Sequence, residues 1–187
     1  MDAFPFPSRE LAREELERDI IYNKLVSTGA DIDAIVERAW QTGADAARAL
    51  FEEMEGQTDF QKIADKKGLS VKREDKDNVQ AGRRYFSEYY TGKKKLTLYT
   101  GSIALWARKN NVTVQQAENL VLAHEFFHYL ENTSLGQASK QVTLPMLTIF
   151  GIPVGKTGVR ALSEIGAHAF ARTYNELSGT AKNKRRQ

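Results

Sequence analysis

The segment His124-Glu125-Phe126-Phe127-His128 constrains the fold of this chain more than any other feature. The chain contains three histidines, and two of them stand four residues apart in this segment. Residues four apart lie on the same face of a helix, so both imidazoles can reach one metal ion. Glu125 then lies beside the metal, where it can act on a bound water. The fold must therefore place this helix where a metal can bind.

The helix that carries this motif is predicted to begin at Thr113, because Thr113-Val-Gln-Gln116 matches a capping box. Between Leu120 and Leu130 the helix is almost wholly apolar outside the motif. A helix that is apolar on nearly every side is buried. Burying two histidines and a glutamate costs free energy unless a partner satisfies them, and a metal ion does so.

Two residues on the predicted last helix are candidates for a third metal ligand. Glu164 and His168, the remaining histidine, stand four apart and share a helix face. Catalytic zinc keeps three protein ligands and one open position, and Glu164 is preferred because it gives a His₂Glu hydrolytic site. His168 is the alternative ligand, or else orients a ligand or donates to an oxyanion. Glu125 is the predicted general base.

Composition narrows the class of protein. The 187 residues are 41% hydrophobic and 27% charged, which is typical of a soluble globular chain. There is no cysteine, so a metal must be held by nitrogen and oxygen, and no disulfide framework exists. Because neither a signal peptide nor a membrane-length apolar run is evident, we expect a cytoplasmic protein that does not contact membranes. The net charge of +3 comes largely from the last residues, so nucleic-acid binding is not expected.

The chain divides into three predicted parts. Residues 1–56 form an N-terminal helical segment of two helices, whose apolar stripes are packing surface. Residues 57–180 form an α+β domain, with a small antiparallel sheet packed on the motif helix and a last helix ending near Leu177. Residues 181–187 form a basic disordered tail.

A long connection separates the motif helix from the last helix, and its centre at 142–154 is unusually apolar. The favoured interpretation is that this stretch fills the core. The alternative is a lid or a segment that contacts substrate.

His124-Glu-Phe-Phe-His128, followed by Glu164-Ile-Gly-Ala-His-Ala-Phe-Ala171, resembles the ImmA/IrrE family of zincin-like metallopeptidases. In that family the HExxH helix is followed by a second helix written roughly E-x-E-A-N-x-F-A. The resemblance covers about residues 57–177. The chain departs from it at Phe127, where the family has a small residue, at Gly166, which replaces the second Glu, and at His168, which replaces the Asn.

The resemblance implies a zincin-like metallopeptidase domain that binds zinc and hydrolyses peptide bonds of an intracellular protein. Family members that act with a helix-turn-helix cleave transcriptional repressors, so a transcriptional regulator is one implied substrate. No clear helix-turn-helix is evident here, so the resemblance implies the peptidase chemistry but not the regulatory role of those family members. The alternative hypothesis is a catalytically weak or inactive, metal-stabilised module that binds a protein partner through residues 142–154.

Overall fold

The computed structural model describes residues 6–150 and 152–184. The helices are α1 (Ala12–Glu17), α2 (Tyr22–Val26), α3 (Ile32–Glu53), α4 (Phe60–Lys67), α5 (Thr100–Lys109), α6 (Val114–Leu130) and α7 (Arg160–Lys184). The strands are β1 (Ser70–Glu74), β2 (Asn78–Gln80), β3 (Arg83–Tyr85), β4 (Ser87–Tyr90), β5 (Lys95–Tyr99), β6 (Thr143–Ile149) and β7 (Ile152–Gly158). The prediction of an α+β fold is confirmed.

The helix boundaries follow from side chains that satisfy free backbone groups. At the start of α6, the Thr113 hydroxyl accepts from the Gln116 N–H, and the Gln116 side chain accepts from the Thr113 N–H. Asp31 caps α3 by accepting from the Ala34 N–H. Each bond satisfies an N–H that has no partner within its helix, so these polar residues determine where the helices begin.

The main sheet has the strand order β1-β5-β4. β4 is antiparallel to β5, as predicted, but β1 runs parallel to β5, with Ser70 opposite Lys95. The prediction of an antiparallel sheet is therefore wrong for β1. The parallel pairing arises because the chain between β1 and β4 forms a separate hairpin, β2–β3, which lies outside the main sheet.

The first predicted helix is interrupted. The chain forms a 3₁₀ turn over residues 9–11, then α1, and resumes as α2 after a break at residues 18–21. Ile20, an apolar residue within the first predicted helix, lies in this break and is 99% exposed. In this break the Asp19 side chain accepts from the Ile21 and Ala161 N–H groups, which gives the backbone an alternative to the helical hydrogen bonds and ties the break to the start of α7.

The last helix is longer than predicted. It continues past Leu177 to Lys184, so residues 181–184 of the predicted tail are helical, and residues 185–187 lie outside the described residues. Gly179 does not end the helix because it does not take the left-handed conformation of a C-terminal glycine. Among residues 6–150 and 152–184, no helix is both long and apolar enough to cross a membrane.

α3 and α7 pack closely against each other because each has a glycine where the two helices meet. A Cβ atom on Gly43 would lie 1.9 Å from the backbone oxygen of Gly166. A Cβ atom on Gly166 itself would lie 2.6 Å from the Phe127 ring of α6. Gly166 is therefore enclosed between α3 and α6, and α7 is held at a fixed depth between them.

The apolar connection is an exposed hairpin formed by β6 and β7. Leu144 is buried, but most of the hairpin's large apolar side chains are exposed: Met146, Leu147, Ile149, Phe150, Ile152 and Val154. The prediction that residues 142–154 fill the core is therefore wrong beyond Leu144. The two strands pair with each other and leave the core after this residue, so the tip has no protein surface to cover it within the described residues.

We expect Gly43→Ala to lower the free energy of unfolding by about 3 kcal/mol, the upper end for overpacking a core. The added methyl group meets helix backbone, which cannot move aside as a flexible side chain can. Denaturant unfolding followed by circular dichroism measures the loss. Gly179→Ala is the matched control, since its Cβ would meet nothing within 4 Å, and it should stabilise by about 0.5–1 kcal/mol. Equal stability of the two variants would contradict the close approach of α3 and α7.

Candidate metal and catalytic site

The two motif histidines lie on one face of α6, as their spacing predicts. Their ring centroids are 5.2 Å apart, and the side chains of His124 and His128 keep 11% and 17% of their exposure. From Leu120 onward the helix is largely buried, with Phe126 and Phe127 fully buried in the main core. The imidazoles are therefore held in place by the core but remain accessible from one side.

Glu164 of α7 lies between these two imidazoles. Its Oε2 is 3.3 Å from Nε2 of His124, and its Oε1 is 3.6 Å from Nε2 of His128. Burial acts to raise the pKa of Glu164, but the hydrogen bond to His124 and the three nearby imidazoles outweigh it and lower that pKa. The carboxylate is thus kept ionised, which is the state that binds a cation.

His168 lies one turn after Glu164 and faces the same place. Its ring centroid is 5.1 Å from that of His124. One donor atom from each of His124, Glu164 and His168 lies within 4.8 Å of the others, a spacing that could hold a metal ion. Burial and the His124 imidazole lower the pKa of His168 to about 3, so its ring is neutral at physiological pH. A neutral imidazole can ligate a metal or donate one hydrogen bond.

Both candidates for the third ligand therefore reach the histidine pair. Glu164 contacts both motif histidines, whereas His168 approaches His124. The preference for Glu164 stays a prediction.

Glu131 is a member of the site that the sequence analysis does not identify. It lies three residues after His128, is 5% exposed, and its Oε2 is 2.9 Å from Nδ1 of His128. Its other oxygen accepts from the Ala138 N–H at 2.7 Å and from the Ser163 hydroxyl at 2.8 Å. A carboxylate on the outer nitrogen of a metal-binding histidine fixes the ring orientation and makes the inner nitrogen a better ligand. The sequence signal is an acidic residue three after His128, on the same helix face.

Glu131 also determines the charge of His128 in the metal-free protein. Burial acts to lower the pKa of His128, but the hydrogen bond to Glu131 and the Glu125 and Glu164 carboxylates raise it to about 9. A metal would compete with this proton for the imidazole, so metal binding at His128 releases a proton.

Glu125 is held by the edge strand of the sheet. The Ser87 hydroxyl of β4 donates a hydrogen bond to Oε1 of Glu125, with a distance of 2.7 Å. This bond occupies one carboxylate oxygen and leaves the other available to accept a proton. Ser87 is another site residue that the sequence analysis does not identify, because its distance of 38 residues from Glu125 gives no local signal.

Within the described residues, Nδ1 of His124 is a buried polar atom with no hydrogen-bond partner. A buried polar group without a partner costs free energy, and such a cost is typical of a functional site. The ring of His124 and the three side chains beside it, His128, Glu164 and His168, suit zinc, which accepts imidazole and carboxylate together.

Comparison of the chain with protein-family models, with curated proteins and with solved structures gave no match. Its chemistry must therefore be inferred from the residues of the site.

We expect His128 to titrate near pH 9 in the metal-free protein, far above its ordinary value of about 6.5. Because the folded-state pKa is raised, protonation of His128 stabilises the fold fully below pH about 6.5, and this stabilisation is lost as the pH rises through about 9. Glu131→Gln should bring the pKa down towards its ordinary value. A pH titration of the imidazole NMR signals measures both.

Ser163→Ala is the matched control, since it removes one hydrogen bond from Glu131 but keeps the carboxylate beside His128. In this variant the pKa of His128 should stay raised. An ordinary pKa for His128 in the unaltered metal-free protein would contradict the role assigned to Glu131.

Proposed function

We propose that this protein is a zinc-dependent metallopeptidase of the zincin type, similar to the ImmA/IrrE family, that hydrolyses peptide bonds of a protein substrate. The observation that carries the proposal is the approach of Glu164 to Nε2 of both His124 and His128, with Glu125 on the same helix. Two histidines and a glutamate from a second helix are the ligand set of a hydrolytic zinc site. The proposal includes that the domain has a zincin fold and that the chain is related to this family.

The metal would be held by His124, His128 and Glu164, with His168 as the alternative third ligand. Two features support the fit of these residues to zinc: Glu164 is ionised, and the Glu131 carboxylate contacts the outer nitrogen of His128. The chain has no cysteine, so histidine and carboxylate are the ligands it can offer. Zinc held by these residues would supply Lewis acidity, which would make water a stronger acid and a carbonyl carbon a better electrophile.

Glu125 is the general base of the proposed reaction. It takes a proton from the attacking water and passes this proton to the leaving amine. The Ser87 hydroxyl keeps the carboxylate oriented, and a base that is already oriented loses less entropy on reaching the transition state. His168 is neutral and lies beside His124. Where Glu164 is the third ligand, His168 donates a hydrogen bond to the developing oxyanion.

The proposed substrate is a cytoplasmic protein, and a transcriptional regulator is the class that the family resemblance favours. Neither a membrane nor a nucleic acid is part of the proposed function.

We expect about one zinc ion per chain in the metal-loaded protein, measured by elemental mass spectrometry. Glu125→Gln should leave the zinc content unchanged and lower peptide hydrolysis by about 10²–10⁴-fold, the contribution of a general base. Glu52→Gln, an exposed glutamate on α3, is the control and should change neither quantity. A protein that binds no zinc, or Glu125→Gln with full activity, would contradict the proposal.

The same measurement identifies the third ligand. Glu164→Gln should lose zinc while His168→Asn keeps it if the site is His₂Glu, because an amide is a weaker ligand than a carboxylate. The opposite result would assign the ligand to His168.

A second candidate function rests on the exposed hairpin β6–β7. Phe150 is fully exposed, and Met146, Leu147 and Ile152 each keep more than half of their exposure. An apolar patch of this kind marks a contact surface. Under this hypothesis the metal stabilises the fold, and the hairpin binds a protein partner without turnover.

If the hairpin is the functional surface, affinity capture from cell extract should retain one set of proteins on both the unaltered protein and Glu125→Gln. Leu147→Ser combined with Ile152→Ser should lose this set, because both side chains contribute exposed apolar area. Val79→Ser, which changes a half-exposed valine of β2, is the control. Cleavage of the retained proteins by the zinc-loaded protein, but not by Glu125→Gln, would instead favour the peptidase.

A further inference from the structure

Phe6 lies directly on the candidate metal site. Its ring is stacked on His124, with centroids 5.2 Å apart and planes inclined by 26°. It is also stacked on His168, with corresponding values of 5.5 Å and 25°. One aromatic side chain thus covers two of the three imidazoles that surround Glu164.

The side chains that contact Phe6 enclose it in a pocket. Trp106 of α5 packs against the Phe6 ring with a centroid distance of 5.8 Å, and Phe86 packs behind Trp106 at 5.7 Å. The guanidinium of Arg172, on α7, donates a hydrogen bond to the backbone oxygen of Phe6 at 3.0 Å. Phe6 is therefore bound as a peptide residue is bound, by its aromatic ring and by its carbonyl group.

Phe6 reaches this pocket from a part of the chain without regular structure. It precedes the 3₁₀ turn that begins at Arg9, so neither a helix nor a strand imposes its position. The ring lies on the faces of the imidazoles, and Nε2 of His124 still points towards Glu164. The pocket is therefore separate from the metal-binding atoms, although it adjoins them.

We propose that this pocket is a subsite for one aromatic side chain of the substrate, and that Phe6 occupies it in the free protein as an intramolecular competitor. The substrate role rests on the proposed peptidase function. An occupant on the same chain has an effective concentration on the order of millimolar, so a substrate must displace Phe6 before its own aromatic residue can bind. The N-terminal segment then favours substrates that bind tightly through contacts elsewhere.

Carbethoxylation of histidine by diethyl pyrocarbonate tests the occupancy without requiring zinc or hydrolysis. The metal-free protein is labelled briefly, and tandem mass spectrometry gives the extent of labelling at each histidine. In Phe6→Ala, labelling of His124 and His168, the two imidazoles on which Phe6 stacks, should rise several-fold over that of the unaltered protein. Phe6→Tyr should keep the protection of the unaltered protein.

Phe150→Ala is the matched control, because it removes the same side chain from a fully exposed position on the hairpin. It should leave the labelling pattern unchanged. Circular dichroism of each variant shows that the fold is retained. Unchanged labelling of folded Phe6→Ala would overturn the proposal.

The subsite is tested by refilling the pocket of Phe6→Ala. N-acetyl-phenylalaninamide should restore the protection of His124 and His168, whereas N-acetyl-alaninamide should not. Equal effects of the two amides would show that the pocket does not select an aromatic ring, and would overturn the proposal.

The aromatic pocket and the peptidase activity can each be present without the other. A protein that binds no zinc but shows selective refilling retains an aromatic pocket and is not a metallopeptidase. A zinc-dependent peptidase whose histidines are labelled alike with and without Phe6 has no such occupant.

Discussion

The close packing around Gly166 is the constraint on which the site depends. Gly43 of α3 meets its backbone from one side, and the Phe127 ring of α6 covers it from the other. Any side chain at this position would push α7 away from α6. Because Glu164 and His168 lie two residues before and two residues after Gly166, such a shift would move both away from the α6 histidines. The geometry of the candidate metal site thus depends on a residue that is not itself a candidate ligand.

This contact joins two positions at which the chain departs from the pattern expected of the ImmA/IrrE family. Phe127 is large where that pattern has a small residue, and Gly166 is small where it has a glutamate. In this fold the two positions touch, so the volume added by the phenylalanine is accommodated by the glycine. The large and the small residue are therefore complementary within the core, and Glu164 lies beside His124 and His128.

The parts of the fold that could be predicted are those with local signals. The capping box at Thr113 and the four-residue spacing of His124 and His128 each depend on neighbouring residues, so one sequence suffices to identify them. The parallel pairing of β1 with β5 depends on how the chain between them folds aside. Ser87 and Phe6 reach the site only through the tertiary fold. The apolar hairpin was not predictable either, since composition does not reveal whether a hydrophobic stretch has a surface to cover it.

The tip of the exposed hairpin does not determine the geometry of the site. The chain leaves and returns to the core at one point, where the Val159 N–H donates to the Ser139 oxygen at 2.8 Å. Gly158 permits this approach, since a Cβ there would lie 2.4 Å from the same oxygen. Beneath this closure, Ser163 hydrogen-bonds to Glu131 and so links α7 to the end of α6. The hairpin tip can therefore change in sequence or contact another molecule without moving Glu164, so the proposed recognition by the hairpin does not depend on the proposed chemistry at the site.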